Sequence, residues 1–107
     1  MHVLFVCGRN RMRSPTAERM YRDDARIQAR SAGTGGSSPH QISIADVEWA
    51  DLILVMEEEY RAWIKQNFRA MRLPPIKCLD IPDVYRYMDA KLVELIRESV
   101  EPLIKTR

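Results

Sequence analysis

The sequence has little cysteine, little histidine and no long apolar run. Cys7 and Cys78 are the only cysteines in 107 residues, too few for a disulfide scaffold. The two histidines, His2 and His40, form no Cys/His cluster with metal-ligand spacing, so no cofactor is expected. The longest apolar runs, Val3 to Cys7 and Leu52 to Met56, are far too short to span a bilayer, and no membrane partner is expected. No secretory leader precedes the first run, and a reducing cytoplasm, where a free thiol survives, is the expected setting. A net charge of +2 is too small to indicate a nucleic-acid partner. Repeats, linkers and low-complexity segments are also missing, so residues 1–107 read as one domain with a modest core.

Hydrophobic residues make up 46% and charged residues 30%, which places the chain among globular rather than disordered sequences. The charge is unevenly spread. Residues 1–30 hold seven arginines against Glu18, Asp23 and Asp24, whereas Asp46 to Glu59 holds six acids and no base. A positive end facing an anionic ligand is one reading. For Arg19, Arg22 and Arg26 a solvated helix face is the better one.

Elements of two kinds alternate. His2 to Val6 reads as a buried strand, broken at Cys7-Gly8. Ser14 then serves as a helix cap with Pro15 at the first helical position, followed by Ala17, Met20, Tyr21 and Ala25 at helical spacing. Ile27 to Ala32 is a weaker strand, and Gly33 to Ser38 a loop. Ser43 to Asp46 resembles a capping box opening a short helix. Asp51 to Met56 is an aliphatic strand of the parallel-sheet type, and the next helix carries Tyr60, Ile64 and Phe68 on one face. A short strand, Ile76 to Leu79, precedes a last helix from about Asp89 that buries Leu92, Val93, Ile96, Val100 and Leu103, with Pro102 kinking or ending it. This alternation implies an α/β fold, a doubly wound parallel sheet with helices on both faces.

In such sheets ligands bind beyond the carboxyl ends of the strands. There the chain reads Cys7-Gly8-Arg9-Asn10-Arg11-Met12-Arg13-Ser14-Pro15. A cysteine, five residues, an arginine and a helix start can curl so that backbone N–H groups converge on one centre, a nest for an oxyanion. Cys7 would lie on its floor, and Arg13 would close the ring with a planar fork able to hold two phosphate oxygens. The same positive field favours the thiolate, the nucleophilic form. Ser14 can hydrogen-bond to it, and Asn10 tolerates the positive φ that a tight loop needs. Arg9 and Arg11 add charge that either recruits an acidic substrate segment or is simply solvated.

Val3-Leu4-Phe5-Val6-Cys7, Asn10 and Arg13-Ser14-Pro15-Thr16-Ala17-Glu18 resemble the low-molecular-weight protein tyrosine phosphatases. Ser31-Ala32-Gly33-Thr34, Ala50 to Met56 and Asp80-Ile81-Pro82-Asp83-Val84-Tyr85 extend the resemblance in family order. It implies a four-stranded phosphatase I-like sheet and hydrolysis of a phosphate monoester through a phosphocysteine. Cys7 would attack phosphorus, Arg13 would bind the transferring group, and Gly8 to Met12 would supply amides. Asn10 would brace the loop and Ser14 would tune the thiolate. Asp83 would be the general acid, with Asp80 as rival, and Tyr85 would line the pocket. The expected ligands are a phosphorylated protein or small aryl phosphate, and inorganic phosphate or another oxyanion in the loop.

Three departures stand out. Val84 replaces an expected proline. Gly35 to Gln41 is too short for the family's substrate-lining segment, which implies a shallower pocket. Met12 occupies the region where several members carry a second, protective cysteine. Two alternatives remain open at this point. An arsenate reductase of the same fold would need a resolving thiol, and Cys78 reads instead as a core cysteine. A binding module for phosphorylated partners would keep the loop without turnover. A related phosphocarrier would not need Arg13. Trp49, Trp63, Tyr60 and Phe68 read as core, His40 as solvated, and Tyr85 and Tyr87 as residues for a pocket mouth suited to an aryl group.

Overall fold

A computed structural model describes residues 1–105. Its four strands form one parallel sheet, β1 (His2–Cys7), β2 (Gln28–Gly33), β3 (Leu52–Val55) and β4 (Ile76–Cys78), in the order β2-β1-β3-β4. The burial of each strand follows its place in that order. Central β1 and β3 are apolar on both faces and buried from Val3 to Cys7 and from Leu52 to Val55. Edge strand β2 alternates exposed and half-buried residues before its buried end at Ala32 and Gly33, and β4 is never fully buried. A strand covered on both faces can spare no polar position, whereas an edge strand can.

Four helices complete the chain: α1 (Arg13–Tyr21), α2 (Ile44–Trp49), α3 (Glu58–Asn67) and α4 (Ala90–Ile104). Right-handed crossovers place α1 on one face and α2 and α3 on the other. Accordingly α1 packs on β1 and β2 and against α4, while α3 packs on β3 and β4. The capping box at α2 is present, with Ser43 and Asp46 each bonded to the other's backbone. Tyr60, Ile64 and Phe68 are buried together as their spacing requires.

Several expectations are corrected. Helix α1 begins at Arg13 with Met12 as its cap residue and no side-chain cap, so Ser14 lies inside the first turn and turns its hydroxyl to other use. The helix ends at Tyr21, which leaves Ala25 exposed in the following turn. In α4 the buried stripe is Leu92, Ile96, Val100 and Ile104, a strict four-residue spacing; Val93 is half-buried and Leu103 exposed. Pro102 does not stop α4, which runs two residues further. Its ring falls in the last turn, where few following residues depend on the lost hydrogen bond. Trp49 and Trp63 are half-buried rather than core. Arg26 is not merely solvated, since it pairs with Asp24 at 2.6 Å and Glu101 at 2.9 Å, tying the α1–β2 turn to α4. His40 bonds the buried Asp46 carboxylate at 2.8 Å through its ring.

Candidate active site

Adjacent strands β1 and β3 send their connections to opposite faces, so a crevice opens beyond their carboxyl ends. Cys7 ends β1 there and is 3% exposed. Residues 8–12 make the loop, and α1 starts at once with Arg13, itself 2% exposed. Cys7, Arg9, Arg11, Met12, Arg13, Asp83 and Tyr85 line one cleft of about 170 Å³. Of the residues singled out in the sequence, Gly8, Asn10 and Ser14 sit behind that lining rather than in it.

Asn10 explains the shape of the loop. It adopts φ 55°, the left-handed region, and its backbone N–H donates to Cys7 Sγ at 3.2 Å. Its buried side chain donates to Ser14 Oγ and Ser31 Oγ, each at 3.0 Å, and accepts from the His40 N–H at 3.2 Å. Ser14 Oγ, already receiving that amide, lies 3.0 Å from Cys7 Sγ and also reaches the Ala32 carbonyl, at the longer distance of 3.4 Å. With no side chain capping α1, the Arg13 and Ser14 amides of its first turn are left for a ligand, the arrangement that favours an anion; Pro15 has no N–H and Thr16 N–H donates to the Met12 carbonyl.

The segment after β2 braces this loop from outside. Thr34 N–H donates to the Cys7 carbonyl at 3.0 Å and Gly35 N–H to the Gly8 carbonyl at 2.8 Å. Gly33 is obligatory here, because a Cβ would lie 2.2 Å from Ser38 Oγ and 3.0 Å from Asn10 Cβ. The shortened stretch therefore buttresses the loop and adds no wall to the cleft lining.

Arg13 is held by groups the sequence reading did not assign. Its guanidinium donates to Glu57, to the Ile81 carbonyl at 2.7 Å and to Tyr60 Oη at 2.8 Å, and its Nε lies 3.7 Å from the Asp83 carboxylate. Burial works against the charged form, but the hydrogen bonds to Glu57 and Tyr60 outweigh it and hold the pKa above the ordinary arginine value. Burial also raises Tyr60, against the opposing pull of Arg13, so its phenol stays protonated. Tyr60 is thus both core and part of the site, and Glu57, half-buried after β3, belongs to it as well. The one signal for Glu57 was its position, directly beyond the carboxyl end of a central strand.

Asp83 stands on the rim with its side chain 55% exposed, and Tyr85 lines the wall. Asp80 is absent from the cleft lining and takes φ 56° in the turn after β4. Val84, where a proline was expected, is 74% exposed, and Tyr87 is exposed but outside the cleft. Cys78 is half-buried on β4, where burial pushes its thiol pKa up, with Glu58 adding to the effect. It pairs with Val55, two strands from β1. At the usual strand spacing that is roughly 10 Å between Cα atoms, beyond disulfide reach of Cys7 without rearrangement. Among the described residues no group of three or more His, Cys, Asp or Glu is placed to hold a metal ion, and no helix is long and apolar enough to cross a membrane.

Comparison with known proteins bears on this geometry. Residues 2–43 match the family model for low molecular weight phosphotyrosine protein phosphatase. Curated proteins give no match to the sequence. Among solved structures, YfkJ from Bacillus subtilis is 26% identical, with a TM-score of 0.74 over 96% of this chain and 91% of that one. The low molecular weight protein tyrosine phosphatase SP-PTP from Streptococcus pyogenes superposes with a TM-score of 0.79 at 19% identity, covering 95% and 89% of the two chains. The tyrosine phosphatase Wzb from Escherichia coli K30, in complex with phosphate, gives 0.73 at 20% identity, covering 97% and 96%. Residues 2–43, which carry the loop, thus match the low molecular weight phosphotyrosine protein phosphatase model, and the chain as a whole has the fold of the solved phosphatase structures it superposes on.

Proposed function

We propose that this chain hydrolyses phosphate monoesters, phosphotyrosine foremost, through a phosphocysteine on Cys7. The observation that carries the reading is the meeting of Cys7, Arg13, Asp83 and Tyr85 in one cleft. The Cys7 thiolate attacks phosphorus while the bond from phosphorus to the leaving oxygen breaks. Asp83 gives that oxygen its proton. Asp83, now a carboxylate, takes a proton from water as the water oxygen attacks phosphorus, releasing inorganic phosphate and restoring the thiolate. Arg13 and the loop amides hold the three oxygens that gather charge in both steps. Ser14 and the Asn10 N–H stabilise the thiolate as it leaves. The Tyr85 ring supplies an aromatic wall suited to an aryl ester. The intracellular setting and the phosphorylated-protein substrate belong to the same proposal.

The distance of Cys78 weighs against arsenate reduction by these two thiols, and a binding module would have no use for an acid on the rim. A series of aryl phosphates with leaving groups of increasing basicity tests the assignment of Asp83. Wild-type kcat is expected to vary little along the series, whereas Asp83→Ala should lose about 10²–10⁴-fold for the most basic leaving groups. A uniform loss across the series would take the acid role from Asp83.

A further inference from the structure

Arg9 and Arg11 flank Asn10 and are set apart from it by its backbone. Asn10 turns its side chain inward and fixes it with three hydrogen bonds, and the residues on either side are left exposed. Both nevertheless line the same cleft as Cys7 and Arg13. Neither has a carboxylate partner among the described residues; the Arg11 guanidinium reaches only the Ser37 carbonyl, at 3.5 Å. The one acid lining the cleft, Asp83, lies beside Arg13. The mouth therefore carries two guanidinium groups with no counter-charge of their own, on a loop braced by hydrogen bonds. Guanidinium forks bind carboxylates in a planar, two-pronged way, and an entrance lined by one sign of charge concentrates ligands of the other.

Resting on the phosphatase reading above, we propose that Arg9 and Arg11 form a second anion subsite, selecting phosphorylated peptides with acidic residues beside the phosphorylated one. The peptide carboxylates pair with the two guanidinium groups while the phosphate enters the loop. A neutral or basic flank leaves those groups unpaired, and a basic one is repelled.

The test uses two phosphotyrosine peptides that differ only in flanking Asp/Glu against Asn/Gln. Wild type, Arg9→Ala with Arg11→Ala, and Arg9→Glu with Arg11→Glu are compared by the ratio of kcat/KM, acidic over neutral. Wild type is expected to show a ratio of roughly ten at low salt, falling towards one at 0.5 M salt, as exposed pairs are weak and screened. The alanine pair should bring the ratio to about one, and the glutamate pair should invert it. A wild-type ratio near one, or a ratio unchanged in both variants, overturns the subsite. If wild type turns over neither peptide, the phosphatase reading fails, and the subsite is read from binding to the Cys7→Ser protein. Tighter binding of the acidic peptide that is lost on Arg9→Ala with Arg11→Ala upholds it. Equal binding of the two peptides overturns it.

Discussion

Asn10 concentrates several demands on one residue. It sits at φ 55°, is 5% exposed, and joins Cys7, β2 and the segment before α2 through its backbone and side chain. Asn10→Ala should cost about 2–3 kcal/mol, because it removes the partner of buried Ser14, half-buried Ser31 and the His40 N–H and puts a Cβ-bearing residue without local hydrogen bonds in the left-handed region. Asn10→Gly should recover about 1 kcal/mol of that by relieving the backbone while leaving the partners unpaired. Urea denaturation of the two variants measures both; equal losses would show that the backbone conformation costs nothing. Cys7, Asn10, Arg13 and Ser14 were legible in the sequence because they lie within eight positions of one another at a spacing the chemistry dictates. The holders of Arg13 were not, since Glu57 and Tyr60 follow it by 44 and 47 residues and only the sheet brings them near. The role of Ser14 was half legible: its hydroxyl meets the thiol as expected, but it does so from inside the helix instead of capping it.

At the scale of elements, every strand and helix was legible in order, and the errors lie in phase and ends. The clearest is α4, where Leu103 was expected inside and Ile104 takes the place. Counting by four from Leu92 reaches Ile104, and the proline before Leu103 obscured that count. Ile96→Ala, at a fully buried position, should cost about 2–5 kcal/mol, whereas Leu103→Ala should stay within about 0.5 kcal/mol. Comparable losses in thermal unfolding would refute the assigned face. Helix α4 is also tied to the α1–β2 turn by Arg26, Asp24, Glu101 and Tyr21, although charge counting read Arg26 as solvated. The hydrogen bond from Arg26 brings the Asp24 carboxyl down to about 2, and Arg26 and Tyr21 lower Glu101 as well. Because the folded values lie below the unfolded range near 4, the stabilisation is present above about pH 4 and is lost as pH falls towards 2. The stability difference between wild type and Arg26→Ala should therefore shrink between pH 5 and pH 2; a constant difference would contradict the assignment.

For the molecule as a whole, strand order decides which residues can work together. The order β2-β1-β3-β4 puts the end of β1 between the loops after β2 and β3, so the loop after Cys7 is braced on one side and Arg13 held on the other. It also leaves Cys78 on the edge strand, away from Cys7. Brief treatment with hydrogen peroxide should thus give no Cys7–Cys78 disulfide in peptide mapping, and Cys78→Ala should lose activity at the wild-type rate; a bridged peptide would revive a paired-thiol chemistry. The parallel sheet was readable from alternation, because each element is long enough to show its period. The holding of Arg13 was not, because it depends on where the crossovers bring distant segments together. The central claim is a phosphatase working from one cleft, and turnover of an aryl phosphate by wild type, Cys7→Ser and Asp83→Ala tests it most directly. Steady hydrolysis that Cys7→Ser abolishes and Asp83→Ala slows by about 10²-fold or more is the predicted result. Hydrolysis that survives Cys7→Ser, or wild-type turnover no greater than that of Cys7→Ser, would contradict it.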